Sequence, residues 1–164
     1  QYYFSNTNIT IYLSLKCRFF INNSTKRQVN FFLSKNTTNF NGNIAKYIGT
    51  AGTVTYSALQ FAYYTGANPV IIFGVDHNFT ISESSKVHDI EKMVSEDNNH
   101  FHKDYFSKGQ YWGIPNLERS ETGYKLAKVA FEQDKRQIYD ATIGGKLNIF
   151  KKISLNEALI LCKK

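Results

Sequence analysis

The sequence predicts an α/β domain with a mainly parallel sheet, and three observations carry that prediction. Residues 54–65 place Val54, Ala58, Phe61 and Ala62 at helical spacing, with Leu59 and Tyr63 widening the apolar face and Gly66 where a C-cap belongs. Residues 70–75, VIIFGV, are almost continuously apolar and rich in β-branched side chains. Such a run suits a central strand covered on both faces, as in the parallel sheets of α/β proteins. Small-residue turns at 49–53 (GTAGT) and 140–146 (DATIGGK) stand where strands hand over to the next element. Open α/β sheets bind ligands at the carboxyl ends of their strands. Asp76 and His77, directly after the apolar run, are therefore the polar residues expected at that edge.

Composition bounds the rest. A chain of 164 residues fits a single domain over 1–164, long enough to bury a core without disulfide staples. With 42% hydrophobic and 15% aromatic residues it is not a disordered composition. Twenty basic against 13 acidic residues give a formal charge of +7. That charge is compatible with a phosphate-bearing ligand or an anionic membrane surface. The basic residues are scattered and no recognition motif accompanies them, so nucleic acid is not expected as a partner. Cys17 and Cys162 have neither CxxC spacing nor a His-rich neighbourhood and read as ordinary thiols of a reducing compartment. No stretch resembles a signal peptide, and no apolar run approaches the roughly 20 residues that span a bilayer. The expected location is cytoplasmic.

In chain order, residues 1–8 are a polar opening segment, 9–15 alternate well enough for a strand, and 29–33 are a second short strand candidate. Residues 34–43, SKNTTNFNGN, read as a loop. These first 43 residues are only weakly assigned. After the helix and the apolar strand, 80–99 turn polar and charged, with Val87, Ile90, Met93 and Val94 as the few core candidates. The excursion over 80–116 reads as a loop or lid above a site. Asn116 offers an N-cap to a helix over 117–133, with Leu117, Tyr124, Ala127, Ala130 and Phe131 inward. Residues 137–139 are a short strand candidate, 147–150 follow a hairpin-like turn, and Ser154 with Glu157 makes a capping box for a last helix.

Several residues carry chemistry. Gly52, Thr53 and Thr55 surround the start of a helix whose free N–H groups favour an anion, although the same turn would also serve close packing of helix on sheet. The stretch 100–106, HFHKDYF, interleaves two imidazoles, a carboxylate and a phenol with aromatic rings. Proton transfer near neutral pH wants an imidazole, because its unperturbed pKa lies near 6.5. His100 or His102 would act as general base, with Asp76 or Asp104 orienting the ring or contacting an acceptor. His77 and Tyr105 would contact substrate, and Trp112 would stack on a sugar or base. A divalent-metal site on these histidines is the lesser reading, and no metal is assigned. On the helix over 117–133 only Glu118 and Ser120 are candidates for the site.

Four runs carry a family resemblance: GTVTYSALQFAYYTGANPVIIFGVDHNF, NNHFHKDYFSKG, LERSETGYKLAKVAF and IYDATIGGKLNIF. Over about residues 44–153 the chain resembles bacterial polysaccharide-biosynthesis members of the domain family named after the archaeal hydroxymethylpterin diphosphokinase. It is more distantly similar to bacterial sialyltransferases that use a CMP-sugar donor. The resemblance implies a Rossmann-like, three-layer α/β domain and a glycosyltransferase-like role in cell-surface polysaccharide assembly. Its partners would be a nucleotide-sugar donor and a glycan acceptor, with peripheral association at the inner membrane surface and oligomerisation both compatible. By the same resemblance Thr142 and Gly144 would line the donor site. Family members usually begin with a strand and a Gly-x-Gly-Pro-Ser turn, and no such turn precedes Gly49 here. The chain is therefore expected to lack the family's amino-terminal glycine-rich strand-turn-helix, as the carboxyl-terminal part of a longer fold. Two alternatives stand beside the transferase: a Mg-dependent diphosphokinase, which would draw on Asp76, Asp104 and Asp140 for the metal, and a non-catalytic binding or scaffold domain.

Overall fold

The structure, a computed structural model, describes residues 10–20, 29–79, 90–92 and 109–163. The first described elements are β1 (Ile11–Ser14), a 3-10 helix (Leu15–Phe20), β2 (Val29–Phe32), β3 (Ser34–Lys35) and β4 (Ile48–Gly49). Then come α1 (Val54–Tyr64), β5 (Val70–Ile72), β6 (Ile90–Lys92) and β7 (Tyr111–Gly113). The last are α2 (Leu117–Gln133), β8 (Ile138–Asp140), β9 (Lys151–Lys152) and α3 (Leu155–Leu161). The protein is an α/β mixture. Among the described residues the pairs β1–β2, β3–β4, β5–β8 and β8–β9 are parallel, and only the β6–β7 ribbon is antiparallel.

Strand β5 corrects two expectations. It stops at Ile72, because Gly74 takes a positive φ of 71° and ends the extended backbone. Asp76 and His77 thus sit in a coil beyond the strand end. Nor is β5 central among the described residues: in the order β5-β8-β9 the middle strand is β8, with Val70 opposite Ile138 and Ile72 opposite Asp140. The segment 147–150 is likewise no hairpin. Leu147 and Phe150 enter the core, and β9 then pairs parallel to β8.

Helix α1 starts where Thr53 caps it, its hydroxyl accepting from Thr55 N at 3.3 Å. Its inward face is Tyr56, Leu59 and Gln60, while Val54 is 82% exposed and Ala58 lies in solvent. Of the predicted face, Leu59 is buried and Ala62 and Tyr63 pack against the core, whereas Gln60 is buried where the apolar spacing left a polar position. Gln60 Oε1 accepts from Gly49 N at 3.0 Å and its Nε2 donates to Gly49 O at 2.8 Å, so the amide satisfies both backbone groups of a β4 residue. On the other flank Phe61 meets the rings of Tyr12 and Phe32, joining α1 to β1 and β2. Tyr56, whose hydroxyl donates to Thr38 O at 2.7 Å, has its pKa raised by burial and then by Tyr47.

Helix α2 has the predicted bounds, with Asn116 Oδ1 accepting from Arg119 N at 2.8 Å. Its buried residues are Ser120, Gly123, Tyr124, Ala127 and Phe131, while Leu117 and Ala130 are half-buried at the edges of that stripe. Gly123 permits the crossing of α1 and α2: a Cβ there would stand 2.6 Å from Ala51 Cβ and 3.1 Å from the Tyr56 ring. The core gathers Ala51, Tyr56 and Leu59 with Ile72, Ile138, Tyr124 and Phe131. The capping box of α3 is formed on both sides, although of that helix only Ala158 is buried. Of the excursion's core candidates, Ile90 is described and is exposed; Val87, Met93 and Val94 lie outside the described residues. No helix of the described residues is long and apolar enough to cross a membrane.

Candidate functional site

Beyond the carboxyl ends of β5 and β8 the chain encloses an open cavity of about 900 Å³. Segments from distant parts of the chain wall it. The coil 73–79 after β5 and the turn 141–143 after β8 come from the sheet, and the start of α1 (52–55) closes one side. Helix α2 contributes Leu117, Ser120 and Tyr124. The sheet edge explains this placement, since parallel neighbours release their chains on the same side and the two following coils must diverge around a gap.

The two coils are fastened to one another. Val75 N donates to Thr142 Oγ1 at 3.1 Å, and Lys146 N donates to Asp76 O at 2.7 Å. Gly145 is required at this junction, because a Cβ there would stand 2.9 Å from Thr142 Cγ2 and 3.2 Å from Val75 O. Behind the turn, Asp140 is fully buried; one carboxylate oxygen accepts from Lys152 Nζ at 2.7 Å and the other from Thr142 N at 2.8 Å. Asp140 therefore holds the turn rather than facing a ligand.

The chemistry of the cavity gathers around His77. Its side chain is 8% exposed and its Nε2 lies 3.1 Å from Glu121 Oε1 on α2. The second oxygen of Glu121 is 3.9 Å from Lys125 Nζ. The imidazole also packs at an angle against the Tyr124 ring, centroids 6.4 Å apart, and the Tyr124 hydroxyl is 3.3 Å from Thr53 Oγ1. Tyr124 thus touches the cap of α1 through its hydroxyl and the imidazole through its ring. His77 holds a φ of +51°, the left-handed region that ordinary side chains seldom adopt.

Of the residues singled out in the sequence, Gly52, Thr53, Thr55, Asp76, His77 and Thr142 all line this cavity. Gly144, with φ +70°, stands just outside its wall. Trp112 is placed in β7, in register with Glu91. His100, His102, Asp104 and Tyr105 lie outside the described residues. Of the two α2 candidates, Ser120 is in the wall, whereas Glu118 lines a separate polar cleft with Asn36 and Arg119. Sequence reasoning missed Glu121 and Tyr124. The available signal was the stripe Leu117, Ser120, Glu121, Tyr124 at i, i+3, i+4, i+7, which puts Glu121 on the same face as Ser120.

Among the described residues no group of three or more His, Cys, Asp or Glu side chains is arranged to hold a metal ion. The fold and cavity define an α/β protein with a ligand-sized site at its strand ends. The chain matches no protein-family model, no curated protein and no solved structure.

Proposed function

We propose that this chain is a glycosyltransferase-like protein that handles a nucleotide-activated sugar in cell-surface polysaccharide assembly, on a Rossmann-like, three-layer fold. The observation that carries the reading is the convergence of Gly52–Thr55, Asp76-His77 and Thr142, from three distant stretches, on one cavity at the parallel-strand ends. A volume of about 900 Å³ is ample for a nucleotide with its sugar. The first turn of α1 carries no acidic residue, so its positive end is left for an anion such as a diphosphate. Apolar Phe73, Val75 and Leu155 share the wall with hydroxyls and an imidazole, a mixture that suits a base and a sugar together. The family resemblance over residues 44–153 supports the same reading.

A thermal-shift and calorimetric screen against CMP, CDP, UDP, GDP and ATP, each with and without Mg²⁺, tests it. One nucleotide is expected to bind saturably without Mg²⁺. At a hundred times its dissociation constant it adds about 2.7 kcal/mol, or roughly 5–10 °C in Tm for a chain of this size. Thr53→Asp keeps a good N-cap but sets a carboxylate where the phosphates would lie, so the variant should stay folded and lose the shift. Flat curves with a folded protein would leave the binding or scaffold alternative in front. Binding of ATP alone, dependent on Mg²⁺, would favour the diphosphokinase.

A further inference from the structure

The geometry points to His77 as the proton acceptor of this cavity and to Glu121 as its positioning partner. The assignment rests on the transferase reading above, and the observations behind it are separate. His77 and Glu121 are 44 residues apart, and the fold brings Nε2 and Oε1 to 3.1 Å with the imidazole nearly buried. An imidazole that gives one N–H to a carboxylate has its tautomer set by that bond. With the proton on Nε2, the lone pair is on Nδ1, which has no hydrogen-bond partner among the described residues. Among the described residues the charged and titratable neighbours are Glu121 and Tyr124 from α2, Lys125 reaching only the far oxygen of Glu121, and Asp76, exposed, beside His77 on the coil. On the sheet side Asp140 is occupied by Lys152. The positive φ of His77 fits the same picture, since backbone strain of this kind persists where the surroundings hold a side chain in a set place.

The step balances as follows. The acceptor hydroxyl gives its proton to Nδ1 of His77 while its oxygen bonds to the anomeric carbon of the donor. The bond from that carbon to the nucleotide phosphate breaks, and its electron pair leaves on the phosphate. The imidazolium so formed is stabilised by the Glu121 carboxylate on Nε2 and returns its proton to water.

The experiment has two parts. Nitrogen NMR of the whole labelled chain, with His77→Asn to assign the ring and the pH raised until the ring is neutral, is expected to show the proton on Nε2 and Nδ1 bare. A neutral ring with its proton on Nδ1 overturns the assignment without any ligand. The second part uses the nucleotide sugar selected by the nucleotide screen, with transfer to water followed as donor hydrolysis. His77→Asn, whose new side chain tolerates a positive φ, should lower kcat by about 10²- to 10⁴-fold at saturating donor, with the donor still bound. Glu121→Gln should lower kcat about tenfold or more, with partial recovery in Glu121→Asp, a pattern that a merely structural carboxylate would not give. Donor binding with undiminished turnover in His77→Asn overturns this inference alone. Absence of donor binding to the folded wild-type chain overturns the transferase reading and this inference with it.

Discussion

Asp140 and Lys152 illustrate how much of the cavity depends on groups that never reach it. The carboxylate is fully buried, and among the described residues Lys152 is its cationic partner, at 2.7 Å. Lys152→Met would strand a buried charge, and chemical denaturation is expected to show a loss of about 3 kcal/mol. Gly123→Ala is a second sharp case. The added methyl would stand 2.6 Å from Ala51 Cβ, and since neither backbone can yield cheaply, a loss of about 1–3 kcal/mol is expected. Both roles were hidden in the sequence for a physical reason. Asp140 reads as a turn residue because its fate depends on a lysine twelve residues on, and nothing local to Gly123 announces a helix crossing. Thr53 and Ser154, in contrast, were legible, since a cap and its acceptors lie within three residues.

At the scale of elements, the far ends of α1 and α2 are tied by Tyr63, Asp134 and Arg136. The Tyr63 hydroxyl donates to Asp134 Oδ2 at 2.6 Å, and Arg136 bonds both Asp134 Oδ2 and Tyr63 O while lying over the Tyr63 ring. The bond from Tyr63, then that from Arg136, holds the Asp134 carboxyl below its ordinary value. In the capping box of α3, Ser154 N and then its hydroxyl do the same for Glu157. A depressed carboxylate contributes stability above its unfolded pKa, near 4, and that contribution is lost as pH falls through the lower folded value. Urea midpoints measured from pH 6 down to pH 2.5 should therefore drop on the acid side, and Asp134→Asn with Glu157→Gln should flatten that slope. Helices were easier to read than strands here because caps and periodicity are local. Two- and three-residue strands such as β4, β5 and β9 exist only through partners elsewhere in the chain, and the apolar spacing of α1 shows Leu59, Ala62 and Tyr63 but not the buried Gln60, whose partner lies in β4.

Across the whole molecule, the cavity is the meeting place of segments that the sequence keeps apart. Its polar residues were recognisable one by one as helix-start, strand-end and turn residues. Their mutual distances were not, and the pairing of His77 with Glu121 arises only once α2 crosses the sheet edge. The hold of Gln60 on Gly49 has a consequence for how this molecule breathes. A two-residue strand would ordinarily fray and let its amide trade hydrogen for deuterium within moments, but this amide is clasped by a side chain rooted in the middle of α1. Deuterium uptake at Gly49 should therefore follow the slow amides of α1. Gln60→Leu should release it to fast uptake while the helix stays protected, separating two parts that otherwise open together.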